Sequence, residues 1–165
     1  MISSSSKKIT HKAFVPTCFH FDHIDYGYRS VETFHDAFLS LFEIHNETMN
    51  IWSHLIGFFC VVFGGIHTTM ELFIASEANF LEVFAFESYL CCAAVCLLFS
   101  SIYHWFGCIS ENCHNNLLRF DLTGVALLVA GSFLPGTYYG MIFFVIVILF
   151  NFNYIYLHLC CFLQM

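Results

Sequence analysis

Ser100, His104 and Asp121 are the side chains of this sequence whose types and spacing could do chemistry together. Ser100 and His104 are an i, i+4 pair, so on a helix they share one face a turn apart. Asp121 opens the next apolar run and reaches a similar depth from the neighbouring helix. Three chemistries are open to such a set. A serine, a histidine and an aspartate can form a nucleophilic triad, although a serine and a histidine on one helix give no sign of a strained nucleophile. An imidazole and a carboxylate can hold a metal ion, with zinc favoured by imidazole and the carboxylate able to position its water. The bland alternative is that His104 and Asp121 satisfy each other at a helix interface. His54 and His158 fall near the same depth. Both read first as interfacial packing residues, and a His104, His158 and Asp121 site is geometrically allowed.

These residues lie in a chain built for lipid. Of 165 residues, 59% are hydrophobic and only 10% are charged, against about 45–50% and about 25% in soluble domains. A soluble fold of this size cannot hide so much apolar surface, and intrinsic disorder is excluded by the same content. Five Lys and Arg stand against twelve Asp and Glu, which excludes a nucleic-acid binder. Nine cysteines contain no CxxC pair. They read as small hydrophobes inside apolar runs rather than as a disulfide framework.

The chain divides into four parts. Residues 1–30 are a polar tail, with Ser3 to Ser6 a disordered start. Residues 31–48 are an amphipathic helix: Phe34, Phe38, Leu41, Phe42 and His45 recur at helical spacing, and Ser30 is the expected N-cap. Its lack of a basic face favours packing beneath the following helices over lying on anionic lipid. Residues 49–140 hold three spans, about 51–69, 83–106 and 117–134. Residues 141–165 form a fourth. Each approaches the ~20 apolar residues needed to cross a bilayer. Pro135, Gly136 and Gly140 predict a tight turn between the third and fourth. Glu87, one turn inside its span, is expected to snorkel. The fold class is therefore all-α integral membrane, an amphipathic helix followed by about four transmembrane helices.

Four of the five positive charges, Lys7, Lys8, Lys12 and Arg29, precede the first span, and Arg119 sits between the second and third. This asymmetry places the N-terminus in the cytosol. At ~1.5 Å per residue His104 is then roughly 30 Å from the outer end of its span, near the cytosolic boundary. Asn46-Glu47-Thr48 matches a glycosylation sequon but falls on the cytosolic side.

The stretch from Leu41 to Gly57, LFEIHNETMNIWSHLIG, resembles the motif opening the first span of the progestin and adipoQ receptor family, which includes the adiponectin receptors. Ser100-Ser101-Ile102-Tyr103-His104 is similar to that family's serine, three residues, histidine pattern. Phe120 to Leu128, then Gly131 to Pro135 and Tyr138-Tyr139, resembles the adiponectin-receptor branch. The resemblance covers about residues 26–140. It implies the N-terminal part of a seven-span bundle of the haemolysin III type, a signalling receptor with a cytosolic N-terminus. It also implies a zinc ion near the cytosolic face, with His104 a zinc ligand, Asp121 the aspartate holding a zinc-bound water, and Ser100 the serine of the same pattern. The implied chemistry is amide hydrolysis of the ceramidase kind, in which zinc activates a water and Asp121 orients it or takes its proton. The family's remaining zinc histidines lie in an HxxxH pattern that this chain lacks. Asn151 to Met165 does not resemble the family, and Cys108-Ile109-Ser110 replaces its usual Cys-His-Ser. The expectation is thus a C-terminally truncated member, either a real isoform or a shortened gene product. The partners implied are the lipid bilayer, an adipokine-like or lipid ligand, and copies of the chain or longer relatives. The alternative function is a non-catalytic membrane protein that associates with full-length relatives.

Overall fold

The structure, a computed structural model, describes the backbone of residues 9–75 and 79–163 and the side chains within 9–74 and 79–138. Its elements run β1 (Ile9–His11), β2 (Tyr26–Arg29), α1 (Phe34–Leu39), α2 (Thr48–Ala75), α3 (Phe80–Phe106) and α4 (Glu111–Leu163). Among the described residues three helical stretches are long and apolar enough to cross a membrane: Thr48–Ile74, Phe80–Phe106 and Glu111–Tyr138. At ~1.5 Å per residue each is roughly 40 Å long, more than the hydrocarbon core requires.

The helices run past the apolar windows because backbone hydrogen bonding continues where hydropathy stops. Asn79 starts α3 with a capping box, its side chain accepting from Glu82 N–H while the Glu82 carboxylate takes Asn79 N–H, which satisfies two orphan donors at once. Thr48 closes the turn before α2, accepting from His45 N–H at 2.8 Å and donating to the Glu43 carbonyl at 3.1 Å. At Pro135 the structure departs from the expected turn. The helix passes through the proline, and the non-helical backbone falls at Gly140, with φ −124° and ψ 22°. A proline removes one N–H from the ladder, a loss membrane helices tolerate.

The three long helices pack as an antiparallel row. Gly57 and Gly65 of α2 face Leu97 and Leu90 of α3. On the other side of α3, Cys96 and Cys92 meet Gly124 and Gly131 of α4. A Cβ at Gly124 would stand 2.9 Å from the Cys96 Cα. Without a hydrophobic drive between helices in lipid, such close backbone approach is what small residues provide. Glu87 does not snorkel: its carboxylate accepts a hydrogen bond from Thr69 Oγ1 across the α2–α3 interface. At the far end of the bundle, Asn79 Nδ2 donates to Tyr138 OH at 3.0 Å, joining the start of α3 to α4.

The polar N-terminal segment is structured from Ile9 onward, whereas Ser3 to Ser6 lie outside the described residues. β1 and β2 are antiparallel, with Thr10 opposite Tyr28 and His11 opposite Tyr26. Gly27 is the extra residue of this bulge, at φ +101°, a conformation that favours glycine. The bulge turns the Gly27 carbonyl toward Asn46 N–H, at 2.9 Å. The expected helix over 31–48 is shorter than its periodicity suggested. Thr33, not Ser30, caps it, accepting from Asp36 N–H at 3.1 Å. After Leu39 the chain tightens into a 3-10 turn, Ser40–Phe42, and then becomes extended at Glu43. Buried Ser40 causes the tightening by donating to the Ala37 carbonyl at 2.7 Å. α1 packs on the end of α3, where Phe38 stacks on Trp105 and Trp105 Nε1 donates to the Ala37 carbonyl at 2.9 Å.

Candidate functional site

The antiparallel register brings the polar residues to one end of the bundle. His104 stands in the last turn of α3. His54 faces it from α2, with ring centroids 5.7 Å apart and the rings edge to face. Asp121, half-buried on α4, lies within electrostatic reach of His54 and Tyr103. Phe99 and Phe120 meet edge to face one residue away, which fixes the α3–α4 register at this level. Ser100 is buried one turn from His104. The structure thus gathers all three sequence-predicted residues at one end, together with His54.

The carboxylate nearest His104 is not Asp121. Glu47 Oε2 lies 3.0 Å from His104 Nδ1, and both side chains are mostly buried, 12% and 15% exposed. The contact is a close approach rather than an aligned hydrogen bond. Mutual satisfaction of His104 and Asp121 is therefore not how this ring is held. Nor does Nδ1 serve Ser100, as a triad would require of one ring nitrogen. Sequence reasoning missed Glu47, which it singled out as part of a glycosylation sequon. Its signal is its place seven residues before His54, on the same face of α2 continued by one residue.

Arg29 is the second residue that sequence reasoning missed. It is buried, and its guanidinium donates to Ser40 Oγ at 3.0 Å, to the Trp105 carbonyl at 2.9 Å and to the His104 carbonyl at 2.6 Å. These carbonyls end α3 without intrahelical partners, and a cation there also matches the negative end of the helix dipole. Burial lowers the Arg29 pKa, and the charge of Glu47 works against that. Burial by itself would raise Glu47, but His104, Asn50 and Arg29 outweigh it and hold the carboxyl below its ordinary range. His45 is buried beside them. Burial first, then the Arg29 charge, pushes it down to about 4, so it is neutral at pH 7. Its Nδ1 accepts from Glu47 N–H at 3.1 Å.

A small cleft between the N-terminal segment and the end of α3 is lined by Tyr28, Arg29, Glu47, Tyr103, His104 and His114, among others. His104 and Glu47 are accessible from it. The cluster can orient a polar group or exchange a proton at an imidazole. As a metal centre it falls short: among the described residues no three His, Cys, Asp or Glu side chains are arranged to hold an ion, and a zinc site needs at least three protein ligands. His158 lies outside the residues whose side chains are described.

The sequence from residue 42 to 165 matches the family described as "Haemolysin-III related". The chain belongs to that family. Among its relatives, the "Adiponectin receptor protein" of Drosophila melanogaster is 36% identical over 120 residues, covering 72% of this chain and 27% of the relative. "Progestin and adipoQ receptor family member 3" of Homo sapiens is 33% identical over 115 residues, 69% of this chain and 37% of the relative. "Heptahelical transmembrane protein 1" of Arabidopsis thaliana is 35% identical over 117 residues, 68% of this chain and 35% of the relative. The chain thus matches between 27% and 37% of the length of these relatives. Membership and the three apolar helices make it an integral membrane protein of the helical haemolysin-III-related type.

Proposed function

We propose that this chain forms the first part of a receptor of the adiponectin-receptor kind, with its N-terminal segment in the cytosol. In a complete protein His104 would be one zinc ligand, Asp121 would orient a water, and buried Ser100 would pack beside them. When bound, the metal supplies Lewis-acid activation of water for amide hydrolysis of the ceramidase type. The residues of this chain hold and orient: Glu47 and Arg29 fix His104, and Asp121 faces the same space from α4. The supporting observation is His104 itself, a half-buried histidine at a helix end with its ring nitrogen against Glu47 and its carbonyl against Arg29. An ionisable group held this way at the membrane boundary is a functional-site signature. The cytosolic placement rests on four of five positive charges preceding α2.

The test is zinc per chain, by elemental mass spectrometry on detergent-purified protein, beside His104→Ala. Near one zinc, lost in the variant, supports the proposal. No zinc in the parent defeats it for this chain. A second reading is a non-catalytic partner of longer relatives. It is favoured by the three spans being only 11–17% buried, which leaves most of their apolar surface free for other helices. Co-purification of a tagged full-length relative tests it, and its absence under conditions that keep relatives paired would defeat it.

A further inference from the structure

We propose that Glu47 is a positioning residue that fixes the tautomer of His104, keeping the proton on Nδ1 and leaving Nε2 as the basic nitrogen. The inference rests on the reading of His104 as the functional histidine, and it can fail separately from that reading. A neutral imidazole carries one N–H and one lone pair, and an ionised carboxylate only accepts. The nitrogen that meets Glu47 must therefore be the donor. Nδ1 has no other partner among the described residues, and Glu47 Oε2 stands 3.0 Å away. χ2 of histidine has broad wells, which lets the ring turn its N–H toward that oxygen.

Glu47 is itself held in place. Asn50 Nδ2 donates to the same Oε2 at 2.6 Å, and the Glu47 N–H is taken by His45 Nδ1 at 3.1 Å. The backbone of His104 is fixed independently, by Arg29 on its carbonyl, and its ring packs against Tyr103 and His54 at centroid distances of 4.9 and 5.7 Å. The ring can thus present only one free nitrogen. A free imidazole prefers its proton on Nε2, so the carboxylate reverses the intrinsic preference. Either use of His104, as a proton acceptor or as a ligand, needs the Nε2 lone pair and therefore Glu47. A carboxylate behind a histidine sets tautomer and basicity in this way in metal sites generally.

The experiment is long-range proton–nitrogen correlation on the full chain in detergent at pH 8, with 15N-histidine and no added metal. His104 is assigned by loss of its signals in His104→Gln. The parent is expected to show Nδ1 protonated and Nε2 unprotonated. Glu47→Ala is expected to move the proton to Nε2, while Glu47→Gln, whose amide oxygen still accepts, keeps it on Nδ1. A parent with Nε2–H, a parent doubly protonated at pH 8, or an unchanged Nδ1–H in folded Glu47→Ala overturns the proposal. The parent spectrum alone decides if Glu47→Ala does not fold. In any zinc-binding form, Glu47→Ala should weaken zinc about 10–100-fold, and an unchanged affinity also overturns it. A parent with Nδ1–H that takes up no zinc upholds the tautomer assignment while removing the zinc function. A parent with Nε2–H that binds zinc through His104 does the reverse.

Discussion

Replacing Arg29 with alanine removes a side chain that joins β2, the Ser40 turn and the end of α3. Three hydrogen bonds from a cation are lost, and bonds to charged groups are worth about 1.5–3 kcal/mol each. The sum overstates the effect. The two carbonyl contacts are only part-buried, so water can replace the guanidinium there, and burying the charge had its own desolvation cost. The Ser40 hydroxyl is fully enclosed and regains nothing. Counting the Ser40 bond alone at about 1.5–3 kcal/mol, nothing for the part-buried carbonyls that water replaces, and ~0.3–1 kcal/mol for the helix end gives a net loss of about 3 kcal/mol. This loss is local, because the long helices keep their own contacts. At 1.4 kcal/mol per factor of ten, exchange protection of the docked segment should fall about 100-fold. The amides to follow are Ala37, Glu43 and Asn46, whose bonds hold that segment, measured by hydrogen–deuterium exchange in detergent. Arg29→Lys keeps the charge but lacks the planar fork and should fall between. Protection over residues 26–46 unchanged to within roughly threefold in Arg29→Ala would refute the reasoning.

Other outcomes follow from the same contacts. His45 is held near 4 in the folded chain, against 6.5 ordinarily. The unfolded segment therefore binds the extra proton first, and docking should weaken as pH falls from about 6.5 toward 4. Exchange protection measured across that range should show the loss, and His45→Gln should flatten it. Gly124→Ala forces α4 away from the Cys96 backbone and should cost about 1–3 kcal/mol, seen as a lower melting temperature in detergent. Gly64→Ala, where a Cβ meets nothing within 4 Å, is the control and should leave melting unchanged. Thr69→Val removes the bond to Glu87 and should cost about 0.6 kcal/mol and no more than ~1.7, read by the same melt. An effect several times larger would mean Glu87 has no other way to be solvated.

The spans were legible because charge-free runs such as Ile51 to Thr69 have no other home than lipid. Their ends were not. Hydropathy reports where lipid touches side chains, whereas a helix ends where backbone partners run out, so α2 continues to Ala75 and α4 begins at Glu111. His104 and Asp121 were readable as lying at the same end of the bundle because depth along antiparallel helices follows from counting. Glu47 and Arg29 were not, because their roles depend on partners far along the chain. Arg29 meets carbonyls 75 and 76 residues away, and no local pattern announces that. The β1–β2 pair was equally hidden. Two strands of three and four residues have too little alternation to read, and Gly27 gains its meaning only against Asn46.

The Arg29 clasp also sets an order of events during synthesis. Its acceptors are the last carbonyls of α3, which leave the ribosome some seventy-five residues after Arg29 itself. Until then the first part of the chain has nothing to close upon. The loop it finally shuts contains two complete membrane crossings, so the segment docks only after α2 and α3 have inserted as a hairpin. It follows that both ends of that hairpin must emerge on the side where the segment waits. A helix inserted the wrong way round would carry the His104 and Trp105 carbonyls to the opposite face of the bilayer. The clasp therefore acts as a topological proofreader, one that closes only on a correctly threaded chain.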